Sequence, residues 1–256
     1  MGEHPKVAIV TGAGTGTGAA CALALARRGW RVLVNYRQSE PEALATVAAC
    51  ASAGGEALVC RGDVAVDADC RGLARAALDR WGRIDALVNN AGVTRFVHAA
   101  RLDDLDADDF QRIYAVNVVG AYQMIRACAP ALRASGDGAV VNVSSVAGTQ
   151  GLGSSTAYVA SKGALNAMTL ALARALAPEI RVNAVCPGLI ETRWHRARFD
   201  EAGYRRFLDA YAARVPLRRA ASADDVADAV VWLVEGARVV TGELITLDSG
   251  MHLGQA

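Results

Sequence analysis

The sequence of 256 residues has no excess of charge: 27 lysines and arginines face 26 aspartates and glutamates, for a formal net charge of +1. That balance argues against the broad basic surface on which nucleic-acid binding depends. Six cysteines are present, but none stands in a Cys-x-x-Cys pair and no histidine cluster accompanies them, so no metal site is expected. Most lie in apolar segments and read as small buried hydrophobes. A chain of this length can build its core without disulfides, which makes a reducing cytoplasm the expected location. No stretch approaches the roughly 18 apolar residues of a membrane span. Residues 1–6 are too short and polar for a signal peptide, and the apolar run behind them goes straight into a glycine-rich turn. Glycine is frequent, at 25 residues, without a collagen-like period. No long polar tract divides the chain and 53% of it is apolar, so one soluble domain over residues 1–256 is expected.

What is present is a repeated alternation of short apolar runs and longer helical patterns. Val7-Ala8-Ile9-Val10 is apolar throughout, as a central parallel strand should be. Further strands are expected at 31–35, 57–60, 84–88, 139–143, 181–185 and 243–247. Helices are expected at 19–28, 42–53, 67–81, 106–132, 157–176 and 224–233. Gly29, Gly54-Gly55, Gly82 and Pro178 close helices, and Ser222 is a candidate cap. Pro130 is placed to bend the end of the long 106–132 helix. Strand and helix repeated over the whole length, with right-handed crossovers, predict an α/β Rossmann fold. The expected sheet is doubly wound and parallel, with seven strands in the order 3-2-1-4-5-6-7. A ligand crevice should open beyond the carboxyl ends of the strands, where the order reverses between strands one and four. Residues 189–219 form an insertion large enough to be a lid.

Gly12, Gly16 and Gly18 follow the first strand, with Thr15 and Thr17 between them. Glycine permits positive φ in such a turn and lets a pyrophosphate approach the backbone, while the next helix aims free N–H groups at it. A tight loop is the alternative. Strand two ends in Asn35-Tyr36-Arg37, where a site for NAD usually offers a carboxylate to the ribose 2′-hydroxyl. Asn35 cannot repel a phosphate, and Arg37 can pair with one, so NADP is expected over NAD. Arg37 could equally be a solvent-exposed residue at the start of a loop. Asp63 and Val64 follow strand three and could meet an adenine amine and ring; Asp63 could instead cap a helix. Asn89, Asn90, Ala91 and Gly92 follow strand four, with small residues that leave room for a cofactor and amides that can tie strand ends together.

Tyr158 and Lys162 are spaced i, i+4 and share one helix face. A free tyrosine titrates near 10, and a neighbouring ammonium favours the phenolate, so Lys162 is expected to lower the Tyr158 pKa while reaching the ribose. Ser145, just past strand five, can hold a substrate oxygen from the other side. Asn117 lies between Val116 and Val118, where an unsatisfied buried amide is costly. It could kink its helix and hold a water that feeds protons to Lys162, or be a satisfied core amide. In the 189–219 insertion, Trp194, His195, Phe199, Tyr204, Phe207 and Tyr211 form either an aromatic substrate wall or a lid core. The arginines of residues 193–219 read either as a solvated face or as a steering surface for an anionic substrate.

Taken together, Thr11-Gly12-x-x-x-Gly16-x-Gly18, Asn89-Asn90-Ala91-Gly92, Ser145 and Tyr158-Val159-Ala160-Ser161-Lys162 resemble the short-chain dehydrogenase/reductase family over nearly the whole chain. The resemblance implies catalytic roles for Asn117, Ser145, Tyr158 and Lys162. It implies that Pro187, Gly188, Ile190 and Thr192 wrap the nicotinamide end of the cofactor, that the pro-S hydride is transferred, and that no metal is needed. It also implies a homotetramer, paired through residues 106–132 and 157–176 with a second contact around 243–255. Thr17 and Thr15 depart from the family pattern, the first at a usually apolar position and the second at one often basic in NADP-preferring members. Asn35-Tyr36-Arg37, Pro187-Gly188-Leu189-Ile190-Glu191-Thr192 and Thr246-Leu247-Asp248-Ser249-Gly250 are most similar to the 3-oxoacyl-[acyl-carrier-protein] reductase group. The expectation is an NADP(H)-dependent carbonyl reductase, with 3-oxoacyl thioesters, carried on an acyl carrier protein, among its candidate substrates. The rivals are a sugar, polyol or other secondary-alcohol dehydrogenase using NAD or NADP, and a cofactor-binding regulator without turnover.

Overall fold

The computed structural model describes residues 5–196 and 198–254. Seven parallel strands form one sheet in the order β3-β2-β1-β4-β5-β6-β7, as expected from the sequence. The strands are β1 (Val7–Val10), β2 (Arg31–Tyr36), β3 (Glu56–Arg61), β4 (Ala86–Asn89), β5 (Gly138–Val143), β6 (Ile180–Pro187) and β7 (Leu244–Leu247). Successive side chains on a strand point to opposite faces, so each apolar strand feeds two layers. Ala8, Val10, Val32, Val34 and Val141 meet helices α1 (Gly16–Ala26), α2 (Glu40–Ser52) and α10 (Ala223–Val231). Val7, Ile9, Leu33, Leu87 and Val140 meet α3 (Asp67–Trp81), α5 (Ala121–Ala134) and α7 (Thr156–Leu176). Each fully buried leucine or isoleucine in these layers stabilises the fold by roughly 1.5–3 kcal/mol. Cys21, Cys50, Cys70, Cys128 and Cys186 are buried free thiols and Cys60 is partly buried. No helix among the described residues is long and apolar enough to cross a membrane.

The long helix expected at 106–132 is continuous but not uniform. Asp106 caps α4 (Ala107–Tyr114) by accepting the Asp109 N–H, a π-helical turn covers Ala115–Gly120, and α5 continues with Pro130 inside it. Ser222 caps α10 in a reciprocal capping box with Asp225. The expected 189–219 insertion contains α8 (Arg193–Arg196) and α9 (Glu201–Ala212), and Ile190 bridges to Ala221 across its base. A short helix not expected from the sequence, α6 (Ala147–Gln150), follows β5. It lies hard against α7: a Cβ at Gly148 would fall 2.5 Å from the Lys162 carbonyl carbon.

The glycines at 148 and 72 therefore carry opposite predictions. Gly148→Ala must push α6 off α7 and should cost about 1–3 kcal/mol. Gly72 is exposed inside α3 with nothing within 4 Å of its added Cβ. Gly72→Ala should stabilise by about 0.5–1 kcal/mol. Urea unfolding of the two variants checks both signs.

Candidate active site

The turn after β1 is held from two sides before any ligand is considered. Thr11 Oγ1 accepts the N–H groups of Asn90 and Ala91, each at 3.0 Å. Asn90 Nδ2 donates back to the carbonyls of Thr11 at 2.9 Å and Gly12 at 3.0 Å. From β2, Asn35 Oδ1 accepts the Gly12 N–H at 3.1 Å while its Nδ2 donates to the Gly62 carbonyl at 3.0 Å. Gly12 and Gly16 have φ of +60° and +55°, the left-handed region that favours glycine. A Cβ at Gly18 would strike Asn90 Nδ2 at 2.4 Å. Thr15 occupies the N-cap of α1 without a side-chain cap, and the first turn, which contains Thr17 and Gly18, holds no acidic residue. Helices α2, α3, α4, α7, α9 and α10 each begin with a capping side chain or an acid. An uncapped helix start behind a tight glycine turn fits the pyrophosphate of a dinucleotide. Thr192 lies over this start, with its Cγ2 3.6 Å from the Cβ position of Gly16.

The end of β2 differs from the expectation drawn from the sequence. Asn35 and Tyr36 are buried, and the Asn35 amide is committed to the backbone of its neighbours, so it shapes the turn rather than projecting outward. Arg37 is the first exposed residue, and its Nη1 pairs with Asp63 Oδ2 at 3.2 Å. Asp63 Oδ1 accepts the Ala65 N–H, a local turn rather than a helix cap. Val64 is buried against Gly120, with the Cβ position of that glycine 2.8 Å from Val64 Cγ2. Arg37, Gln38, Arg61, Gly62, Asp63 and Asp69 line one open depression. Arg61 had no role in the sequence reading. It is paired in register with Tyr36 at the last position of β3, and the strand ends carry the signal that would have found it.

Ser145, Tyr158 and Lys162 come together beyond the carboxyl end of β5. Ser155 starts α7 by accepting the Tyr158 N–H at 3.2 Å. One turn later Lys162 is buried, and its Nζ donates to the Val143 carbonyl at 2.8 Å. The ammonium lies 5.6 Å from the Tyr158 ring centroid. Ser145 Oγ accepts the Ala147 N–H at 3.1 Å and donates to the Pro187 carbonyl at 3.4 Å. Asn117 lies in the π-helical turn and is fully bonded: Oδ1 accepts the Val93 N–H at 2.8 Å, and Nδ2 donates to the Val93 carbonyl and to Ser161 Oγ, both at 3.0 Å. Its amide thus anchors the strand-four loop rather than Lys162 directly. Gly92 leaves the space between them, since its Cβ position is 3.5 Å from Asn117 Oδ1 and 3.9 Å from Lys162 Nζ. The expected tie between strand ends is present as Asn89 Nδ2 donating to Asn142 Oδ1 at 2.9 Å.

The expected acidification of the phenol is corrected by this geometry. Burial pushes the Tyr158 hydroxyl up to about 12, and the group that pulls against it is Ser145, through a hydrogen bond, rather than the lysine. Lys162 is itself pushed down to about 8 by loss of solvent. Loss of water disfavours the charged form of each group, raising the phenol and lowering the lysine.

The 189–219 insertion divides the six aromatics. His195 lies between Phe96 and Phe207, each with ring centroids at 5.7 Å, and Phe207 stacks on Phe199 at 5.2 Å. Tyr204 adjoins Phe199, and Tyr211 donates to the Asp248 carbonyl. His195, Tyr204, Phe207 and Tyr211 form the buried and half-buried core of the insertion, with Phe199 at its exposed edge. Trp194 instead approaches Tyr158, with ring centroids 6.4 Å apart, and remains 38% exposed. Arg193, Arg196 and Arg219 are paired with Glu42, Glu201 and Asp225. Pro187 ends β6 beside Ser145, Gly188 follows it, and Ile190 forms a backbone bridge with Ala221.

The depressed lysine has a thermodynamic consequence. Between about pH 8 and pH 10.5 the unfolded chain holds a proton on Lys162 that the fold has released, so stability rises with pH in this window. Relative to Lys162→Met, which lacks the titration, the parent should gain up to about 3 kcal/mol across it. Urea unfolding at stepped pH measures the difference, and a flat difference would refute the depressed lysine.

A family model described as enoyl-(acyl carrier protein) reductase matches residues 12–252. A Streptomyces violaceoruber protein named "Granaticin polyketide synthase putative ketoacyl reductase 2" is 41% identical over 247 residues, covering 96% of each chain. The 3-oxoacyl-[acyl-carrier-protein] reductase FabG of Staphylococcus epidermidis is 32% identical over 250 residues, covering 97% of this chain and 99% of its own. Among solved structures, a "putative short-chain dehydrogenase/reductase" from Burkholderia xenovorans superposes with a TM-score of 0.91 at 41% identity, over 99% of this chain and 100% of the other. With this fold, the glycine turn on an uncapped helix and these relatives, the chain belongs to the short-chain dehydrogenase/reductase family of oxidoreductases.

Proposed function

We propose that the protein is an NADP(H)-dependent carbonyl reductase in which Tyr158 donates the proton. The observation that carries this reading is the convergence beyond β5 of the Ser145 hydroxyl, the Tyr158 phenol, whose pKa burial raises to about 12, and the buried Lys162 ammonium 5.6 Å from the Tyr158 ring. A proton donor beside a second hydroxyl suits the oxygen of a carbonyl under reduction. Bound nicotinamide would supply the hydride. Ser145 orients and polarises the carbonyl; Lys162, with one N–H given to Val143, offers its others to the ribose hydroxyls. Asn117 supports the site by fixing Val93 against Ser161. Gly12, Thr15, Gly16, Thr17 and Gly18 receive the pyrophosphate, Asn90, Ala91 and Gly92 line the middle of the groove, and Pro187, Gly188, Ile190 and Thr192 close its nicotinamide end. Arg37 takes the 2′-phosphate. A 3-oxoacyl thioester is the favoured substrate class, supported by the names of the ketoacyl reductase and FabG relatives. Exposed Val119, Tyr122 and Leu170 on the α4–α5 run and α7 support pairing of copies into a homotetramer. The second contact, inferred around residues 243–255, ends at Gln255, outside the described residues.

A second reading, oxidation of a secondary alcohol with NAD, is favoured by one observation. Arg37 already has a carboxylate partner in Asp63, and a carboxylate at this edge suits a free 2′-hydroxyl.

Two measurements test the proposal. Tyr158→Phe should lower kcat for ketone reduction by about 10²–10⁴-fold with the cofactor Kd nearly unchanged. Turnover near the parental rate would remove Tyr158 as the acid. In fluorescence titration NADPH should bind more tightly than NADH, and Arg37→Ala should erase about tenfold or more of that preference. Tighter NADH binding would select the second reading.

A further inference from the structure

Asp248, just past β7, is a deeply buried carboxylate that the proposed chemistry does not use; it is 3% exposed. Burial alone would raise its pKa, but hydrogen bonds from His252, Gln150 and the Gly250 N–H hold it below the usual carboxylate range. Its oxygens accept from the N–H groups of Gly250 at 3.0 Å and His252 at 2.9 Å, and contact His252 Nδ1 at 2.9 Å. The contact that crosses the molecule is with Gln150, whose Nε2 donates at 3.2 Å from 98 positions away in sequence. Gln150 ends α6, the turn whose Ala147 N–H donates to Ser145 Oγ.

The same residue reaches the 189–219 insertion through its backbone. Tyr211 of α9 donates its hydroxyl to the Asp248 carbonyl at 3.0 Å, and the Leu217 N–H donates to the Ser249 carbonyl at 3.1 Å. Gly188 runs beneath both groups: a Cβ there would fall 2.9 Å from Asp248 Cβ and 2.9 Å from the Tyr211 hydroxyl. Ser249 holds a positive φ of 58° to make the turn. Three segments, 145–150 and 187–188 on the Ser145 side of the cleft and 201–217 of the insertion, are thus bonded to or packed on one tight turn.

We propose that Asp248 is a positioning residue, whose carboxylate holds the Ser145 turn through Gln150 and whose backbone holds α9 through Tyr211, so that the two are ordered together. The kinetic part of the test rests on the reading of Ser145 and Tyr158 as reacting groups; the exchange part does not.

Hydrogen exchange followed by mass spectrometry reads the link in the full-length protein. Tyr211→Phe should speed exchange of residues 145–151, and Gln150→Ala should speed exchange of residues 201–212, each about fivefold for one lost hydrogen bond. Asp248→Asn keeps the size of the side chain but loses its charge. It should raise KM for the ketone and lower kcat about tenfold while NADPH Kd stays within about twofold. Should Asp248→Asn fail to fold, the two milder variants decide by exchange and by the same rise in KM. If each variant loosens only its own segment, the link is overturned. Cross-talk in exchange with parental kcat and KM overturns the positioning role, because a scaffold contact alone gives that pattern. An enzyme that turns over no ketone at all would remove the proposed reductase function and leave the exchange result to decide the link.

Discussion

The burial of the Lys162 ammonium constrains everything at the reacting end of the cleft. An ammonium withdrawn from water loses several kcal/mol of hydration unless the protein answers it. The answer here is the carbonyl of Val143, the last residue of β5, which the sheet aims out of its carboxyl edge. One hydrogen bond replaces only part of a hydration shell, and so the lysine titrates near 8. The remaining N–H groups are what a polyhydroxyl ligand can satisfy. The site is therefore under-bonded in the direction in which ribose hydroxyls would arrive, and a hydroxyl ligand there would raise the lysine pKa back toward its solvated value.

Around that lysine the backbone is packed more tightly than helix-on-helix contact requires. Ser144 Oγ donates to Asn166 Oδ1 at 2.6 Å and lies 3.4 Å from the Lys162 carbonyl. Gly148 abuts the same carbonyl group from α6. The peptide that carries Lys162 is thus gripped from β5 and from the turn that Ser145 begins. Asn89, Asn142 and Thr169 extend the grip as a chain of buried bonds from β4 through β5 to α7. The tyrosine stands on α7 and the serine on the short connection between β5 and α6, pinned through its hydroxyl to Pro187 and Ala147, so the distance between them is tightly set, as general acid chemistry demands.

Much of this was legible in the sequence, for definite reasons. Val7–Val10 is apolar on both faces because both faces are covered, and such runs separated by helical patterns admit few topologies. The i, i+4 spacing of Tyr158 and Lys162 fixed their common face. Three things were not legible. The direction in which Tyr158 titrates depends on how much water reaches it, which spacing does not encode. The inward turn of Asn35 depends on the free N–H of Gly12, and the Arg37–Asp63 pair on the register of β2 against β3. The Asp248–Gln150 bond joins residues 98 apart, for which no local pattern exists. The helices of the 189–219 insertion were hidden differently: their core is aromatic and their surface arginine-rich, so the segment reads as a binding wall before its contacts are known.

The Arg37–Asp63 pair bears on how strong any preference between the two nicotinamide cofactors can be. Arg37 is half exposed and Asp63 27% exposed, so the pair is worth only about 0–1 kcal/mol and a phosphate dianion can displace the carboxylate cheaply. Displacement does not remove Asp63, however. Its second oxygen stays tied to the Ala65 N–H and its backbone N–H to Asp69 Oδ2, so two carboxylates remain beside the guanidinium. They repel the same phosphate that Arg37 attracts. Arg61, on the same depression, offsets part of this repulsion. Two arginines against two aspartates leave almost no net field for a dianion, and what selectivity remains must come from the short-range, bidentate geometry of the arginine fork. A lysine at position 37 would keep the charge but lose that geometry, so any preference for a 2′-phosphate at this edge would depend on the shape of the guanidinium more than on its sign.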